Sequence, residues 1–255
     1  MDVKIILKRG QVTIFIILGV LLVFAIVVGL LLFNEKIETS DGVRVNPVPM
    51  VRECVQDSID ESIRNIMAGG GLLDFGHFAT YDGEFYNYLC YQSEDSLGCY
   101  NNYPALKSLI ESNIELDILP AVQLCFDGMR EDFEDRGFSV GGGAMFYSVS
   151  IVRGGVEIDL EKDITIAKDD SSVGFKNFDT GVRSSLYGLI EIARRIVNGE
   201  SQYCAFDHVE HNFLYPEYDV KKRAVSSGNI YSVADRGTGE KFKFAVRSCP
   251  SPAGL

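Results

Sequence analysis

The chain has 255 residues, of which 46% are apolar and 24% are charged, and its formal net charge is −12. Because residues 1–10 carry a net charge of +2, the remainder carries about −14 and repels phosphate backbones. This charge argues against nucleic acid as a partner, whereas it suits solubility in salt or a cationic partner.

An uncharged apolar segment occupies residues 12–33. Its 22 residues would span roughly 33 Å as a helix, enough for a hydrocarbon core of about 30 Å. Three basic residues precede the segment and no net positive charge follows it, so the positive-inside rule places the N-terminus in the cytoplasm. We therefore expect a cytoplasmic basic segment over 1–11, a transmembrane helix over 12–33 in contact with membrane lipid, and an extracellular C-terminal domain on a single-pass cell-membrane protein.

The four residues before the apolar segment, Lys8-Arg9-Gly10-Gln11, resemble the class III (prepilin-type) signal of archaeal pilins and related surface proteins. In that family a membrane peptidase cuts after the glycine. The resemblance implies cleavage between Gly10 and Gln11 by a prepilin-type peptidase, which would leave the helix as an anchor or as the packing core of a filament. Phe15 stands where many prepilins carry glutamate, which counts against filament assembly. The alternative is an uncut signal anchor.

Over most of its length the chain also resembles a group of single-span proteins of small-genome archaea. The proteins of that group combine a KxGQ-type N-terminus with a cysteine-containing ectodomain. Residues 51–71 look like the post-membrane helix of that group, and residues 181–200 look like a later helix. This resemblance implies an extracellular domain but no particular activity.

A polar linker over 34–49 should lead into an extracytoplasmic domain over 50–250. A helix is predicted from Met50, because apolar residues recur every three to four positions until Gly69-Gly70-Gly71 ends it. The predicted buried stripe consists of Val51, Val55, Ile59, Ile63 and Ile66.

The segment over 72–103 lacks a helical period and holds nine aromatic residues. Cys90 and Cys99 flank a polar loop, and a bridge between them would close a short ring worth roughly 2–3 kcal/mol. A tyrosine-rich loop is suited to recognition, because each ring supplies contact area at low entropic cost. The alternative is a satellite core under a long loop. The candidate recognition residues are Tyr86, Tyr88 and Tyr91.

A second helix is predicted to open at Pro104 and to reach Gly137. Pro120 lies inside it and lacks an N–H, so we expect a kink or a restart there. Cys54 and Cys125 both fall on apolar helical faces, and two packed helices would bring them within bonding range. We favour a Cys54–Cys125 disulfide, with a buried reduced pair as the alternative.

Alternating apolar residues predict an antiparallel three-stranded meander over 145–175 with one buried face. Thr180 should cap a further helix that ends at Gly199, and a terminal hairpin should follow through residues 231–246. The sequence therefore predicts an α+β fold in which an N-terminal transmembrane helix precedes a disulfide-containing ectodomain of helices packed on an antiparallel sheet.

All six cysteines follow the apolar segment, and an even number in that position predicts disulfides. Six cysteines allow 15 pairings, which the sequence alone does not distinguish. Cys204 and Cys249 are the pair left after the two favoured bridges. Without a CxxC motif or a close Cys/His cluster, a structural zinc site is not expected.

Two groups of polar residues are candidate binding sites. One strand presents a row of four carboxylates on its outward face, which suits Ca²⁺ or a basic partner, although a solvated face is the simpler interpretation. These are Glu157, Asp159, Glu161 and Asp163. The other group is a histidine pair three residues apart with nearby carboxylates, but it lacks the HExxH pattern of zinc hydrolases. Its members are His208, His211, Glu217 and Asp219.

Neither a nucleophile elbow nor a phosphate-binding loop is present in the sequence. We therefore predict no catalytic, cofactor or metal residues and no enzymatic activity. The first hypothesis is a cell-surface structural or interaction protein, of the pilin type or otherwise, whose partners are copies of itself or other surface proteins. The second is a membrane-tethered ligand-binding or sensory ectodomain, and the third is an ectoenzyme.

Overall fold

The computed structural model describes residues 19–21, 23, 45–73, 76–93 and 98–249. Residues 19–21 and 23 are helical, and the rest of the predicted membrane segment lies outside the described residues, as does the Gly10–Gln11 processing site. Within the described part of the chain, no helix combines the length and the apolarity that a membrane crossing requires. The chain divides into two units, Met1–Val45 and Asn46–Leu255, and the helices and strands named below lie in the second.

Two long helices open this unit. Helix α1, Val48–Ala68, buries the predicted stripe of Val51, Val55, Ile59, Ile63 and Ile66, so that prediction is confirmed. Helix α2, Leu106–Asp135, packs against α1 and continues through Pro120. The expected restart at Pro120 is therefore wrong. Pro120 lies on the exposed face of α2, where water can reach the Leu116 carbonyl that loses its usual donor.

The small sheet contains the predicted meander. Strands β4 (Ser139–Val152), β5 (Gly155–Lys168) and β6 (Ser171–Asn177) are antiparallel neighbours in that order. The inward side chains of β5 are buried and its four carboxylates, Glu157 to Asp163, are exposed, as the alternation predicts. A short strand β7, Thr180–Arg183, pairs with the other half of β5. The prediction of Thr180 as a helix cap is wrong, because its backbone pairs with Ile158 instead.

The large sheet contains six strands, which are β1 (Phe78–Tyr81), β2 (Glu84–Tyr91), β3 (Tyr100–Asn101), β8 (Tyr218–Val225), β9 (Gly228–Asp235) and β10 (Lys241–Arg247). Their order is β1-β2-β10-β9-β8, and β3 pairs with β2. The strands are antiparallel except for β2 and β10, which run parallel. The segment between α1 and α2 thus supplies three strands rather than a long loop.

Helix α3, Leu186–Tyr203, packs on the large sheet over Tyr231, Phe242 and Phe244, which are fully buried. It begins after Ser185 and passes Gly199, so the predicted end at Gly199 is wrong. A short helix α4, His208–Leu214, follows, and the Asp207 side chain caps it by accepting the N–H groups of Val209 and Glu210. The chain thus contains a disulfide-containing α+β domain.

A buried carboxylate ties α3 to the large sheet. Glu200 is 0% exposed and accepts hydrogen bonds from the Lys222 ammonium, the Tyr231 hydroxyl and the Ser248 hydroxyl. Burial by itself raises the pKa of Glu200, but these three donors outweigh burial and hold the pKa below its usual 4.5. Glu200 is therefore ionised at neutral pH, and the same donors account for its burial.

Three disulfides cross-link the domain. They are Cys54–Cys125 between α1 and α2, Cys90–Cys99 beside β3, and Cys204–Cys249 between the end of α3 and the end of β10. Their Cα–Cα distances are 5.9, 5.3 and 5.6 Å. These are the pairings named from the sequence, and no cysteine among the described residues is free.

Candidate functional site

A cleft of about 910 Å³ lies where the two sheets and α3 meet. Its wall is formed by the β4–β5 turn, the end of β7, the first three turns of α3, the end of α4, the start of β8 and the β9–β10 turn. Small-molecule sites in proteins have volumes of about 300–1,000 Å³, so this cleft is large enough for an organic ligand.

Three arginines line the cleft, although the domain as a whole is strongly acidic. The Arg153 guanidinium lies over the Tyr187 ring at 5.9 Å, and the Arg195 guanidinium lies over the Tyr215 ring at 5.2 Å. Arg183 ends β7 directly opposite Gly155. Within the described part of the chain, none of the three has a carboxylate oxygen within 4.0 Å. All three are exposed residues of the cleft lining, and within the described residues no protein carboxylate is in contact with them.

Most carboxylates of the cleft are engaged with other protein groups. Glu240 accepts hydrogen bonds from the Ser184 and Ser185 hydroxyls and from the Ser185 N–H, which caps α3. Asp235 accepts two N–H groups within the β9–β10 turn, at Gly237 and Thr238. These neutral donors hold the two carboxylates in the wall and leave their negative charges in place, so the arginines of the cleft face acidic neighbours as well.

Glu191 and Glu217 are the other two acidic residues of the lining. The Glu191 carboxylate pairs with Arg194 on the outer side of α3 at 2.7 Å. Glu217 is exposed, and its charge partly offsets the lowering of the His211 pKa by burial and by Arg195. The Glu217 carboxylate would repel an anion bound in the cleft.

His211 is, like Ser184, a buried polar residue of the cleft wall. It is 7% exposed, packs between the Phe206 and Tyr215 rings, and has no hydrogen-bond partner at either ring nitrogen among the described residues. Burial, with a smaller contribution from the Arg195 charge, lowers the pKa of His211 below its usual 6.5. The imidazole is therefore neutral at pH 7. A buried polar group left unpaired costs free energy, and such groups concentrate at functional sites.

Gly188 and Tyr218 set the width of the cleft at its middle. A Cβ atom at Gly188 would lie 2.2 Å from the Tyr218 hydroxyl oxygen, so a side chain at this position of α3 would require the Tyr218 ring to move. Burial, followed by the charges of Asp235 and Glu217, raises the pKa of Tyr218. The hydroxyl consequently stays protonated and can donate a hydrogen bond.

The structure separates the histidine pair of the sequence analysis. His211 and Glu217 line the cleft, whereas His208 and Asp219 line a second groove of about 570 Å³ on the far side of α4. No group of three or more His, Cys, Asp or Glu side chains in the described residues has a geometry that could hold a metal ion. The four residues therefore do not form one site.

The tyrosines of β2 form a small core on the open face of the large sheet. Tyr86 and Tyr88 are 6% and 4% exposed and pack with Ala79, Ile230 and Ala245. The Tyr88 hydroxyl donates to the Ser227 carbonyl at 2.7 Å. These contacts agree with the alternative prediction for this segment, a satellite core.

No family model, curated protein or solved structure matches this chain. The candidate site therefore stands on its own geometry. Sequence reasoning did not single out Arg153, Arg183 or Arg195, because they lie in a turn, a strand and a helix that are far apart in the chain. The only local signal was their positive charge in an acidic sequence.

Proposed function

We propose that this chain is a membrane-anchored cell-surface protein whose ectodomain binds a small organic anion. The observation that carries the proposal is the convergence of three arginines without carboxylate partners on one cleft of suitable size. Guanidinium groups bind carboxylate, phosphate and sulfate through paired, charge-assisted hydrogen bonds, and stacking on tyrosine restricts their orientation beforehand. This is the second of the three hypotheses raised by the sequence.

The binding test uses the detergent-solubilised full-length chain at about 0.15 M salt, where nonspecific charge attraction is screened. Succinate, benzoate and glycerol 3-phosphate are compared with succinamide, benzamide and glycerol by thermal shift and calorimetry. We expect at least one anion to bind and its neutral counterpart to be inactive. Replacing Arg153, Arg183 and Arg195 together by methionine should abolish binding, whereas Arg64→Met on the exposed face of α1 should preserve it. Binding that survives the triple replacement would contradict the proposal.

The membrane anchor is the other part of the proposal. It is supported by the 22 uncharged residues over 12–33 and by the three disulfides, which are typical of proteins outside the cytoplasm. Mass spectrometry of the mature N-terminus tests the processing step. A start at Gln11 supports cleavage by a prepilin-type peptidase, and an intact Met1 supports an uncut signal anchor. Recovery of the full chain in the soluble fraction would contradict the anchor itself.

A structural role, including assembly of copies into a filament, stays a prediction of the N-terminal motif. Electron microscopy of cell-surface material carrying a labelled copy is the direct test. The cleft lies in the unit Asn46–Leu255 and the motif lies before it, so the two roles are tested by separate experiments.

A further inference from the structure

The cationic groups of the cleft are divided between its two ends. Arg153 and Arg183 lie together at the end formed by the β4–β5 turn and β7. The Gly154 carbonyl next to Arg153 accepts the N–H of Ser184, next to Arg183, at 3.3 Å. This end also faces Tyr187 in the first turn of α3, over which Arg153 stacks.

Arg195 occupies the other end. Tyr187, Glu191 and Arg195 are four residues apart along α3 and so share one face of the helix. Eight residues of helix correspond to a rise of about 12 Å between Tyr187 and Arg195. Arg195 stacks on Tyr215, beside the buried imidazole of His211.

The middle of the cleft has a different character. Its wall includes Gly188, Ile192 and Tyr218, together with Glu191, whose carboxylate pairs with Arg194. Among the lining residues that the structure describes, no lysine or arginine lies on α3 between Tyr187 and Arg195. A ligand with a single small anionic group would therefore contact one end and leave the arginine at the other end without a partner.

We propose that the ligand is an elongated dianion, with a carboxylate, phosphate or sulfate at each end and an apolar or weakly polar middle. This inference rests on the proposed anion-binding function and adds the spacing of the charges. Arg153 and Arg183 bind one terminal group, and Arg195 binds the other at the far end of the cleft. Ile192 and Tyr218 contact the middle of the ligand.

Linear dicarboxylates provide the test. The probes are sebacate, whose ten-carbon chain can reach both ends, succinate, whose four-carbon chain cannot, and the monomethyl ester of sebacate, which keeps the length and loses one charge. Affinities are measured by calorimetry on the solubilised full-length chain. We expect sebacate to bind about tenfold more tightly than its monomethyl ester, the ratio expected when one charge-assisted contact is gained.

Single replacements then assign the ends. Arg195→Met should reduce sebacate binding to the level of the monomethyl ester, and Arg64→Met should change neither. Equal affinity of sebacate and its monomethyl ester, or equal weakening of succinate and sebacate by Arg195→Met and by Arg153→Met, would show that the arginines serve one anionic group. That result overturns the dianion proposal and leaves anion binding intact. If the wild-type chain binds none of the probes or the earlier anions, the proposed function itself fails.

Discussion

Replacing Glu200 by glutamine should destabilise the domain by about 3 kcal/mol, because it breaks a buried ion pair while preserving shape. The carboxylate is fully buried, whereas the Lys222 side chain is 24% exposed. Loss of one partner of a buried pair costs about 3–5 kcal/mol, and partial hydration of the stranded ammonium places the expected value at the lower end. For a domain of this size the melting temperature should fall by about 6–12 °C.

Replacing Lys222 by methionine should reverse a pH dependence. In the wild-type protein the pKa of Glu200 lies below 4.5, so its contribution to stability is complete above pH 4.5 and is lost as the pH falls through the lowered pKa. Without the Lys222 ammonium, only the Ser248 and Tyr231 hydroxyls oppose the effect of burial, and we expect the pKa of Glu200 to rise above 4.5. The variant should then lose stability as the pH rises from 4.5 through the raised pKa.

Urea unfolding of the full-length chain, followed by circular dichroism between about pH 4 and pH 7, measures both effects. Asp127→Asn is the matched control, because Asp127 and Arg130 form an exposed pair whose loss should cost less than about 1 kcal/mol. The stability gap between wild type and Lys222→Met should be small at the acidic limit and large at neutral pH. A gap independent of pH, or a Glu200→Gln cost no larger than that of Asp127→Asn, would refute this electrostatic account.

Three further outcomes are expected. Joint replacement of Cys54 and Cys125 by alanine should lower the free energy of unfolding by about 4 kcal/mol, because their bridge closes a long loop; urea unfolding against wild type measures it. Because the pKa of His211 is lowered from 6.5, the stability it contributes is complete above pH 6.5 and is lost as the pH falls through the lowered pKa. His211→Phe should remove that loss in pH-dependent melting curves, and an unchanged pH profile would contradict it. Tyr88→Phe should cost about 1 kcal/mol of stability through its hydrogen bond and leave anion affinity unchanged in calorimetry.

Local periodicity accounts for the parts of the fold that were predicted correctly. The apolar stripe of α1 and the apolar–polar alternation of β5 are each set by residues close together in the chain. These patterns therefore predict the buried face without knowledge of what packs against it. Thr180 and Gly199 were misassigned because strand pairing with Ile158 and the left-handed conformation at Cys204, with φ of 55°, decided those boundaries instead. Both are effects of tertiary contacts on residues whose local signals favour another structure.

The cleft residues show the same difference between local signals and tertiary contacts. His211 was a candidate site residue because it lies three residues from His208, yet the structure places the two in different cavities. No sequence motif contains the three arginines of the cleft, Arg153, Arg183 and Arg195. They line one cleft because a turn, a strand end and a helix lie close together in the folded domain.

The apolar segment, the acidic charge, the even cysteine count and the periods of the main helices and strands can be read from the chain without a structure. These depend on composition and on residues close together in the chain. The parallel pairing of β2 with β10, the burial of Glu200 and the convergence of the cleft arginines become visible only in the folded domain. Each of these joins residues that are distant in sequence, and such contacts are settled by which packing buries the most apolar surface while leaving every buried charge a partner.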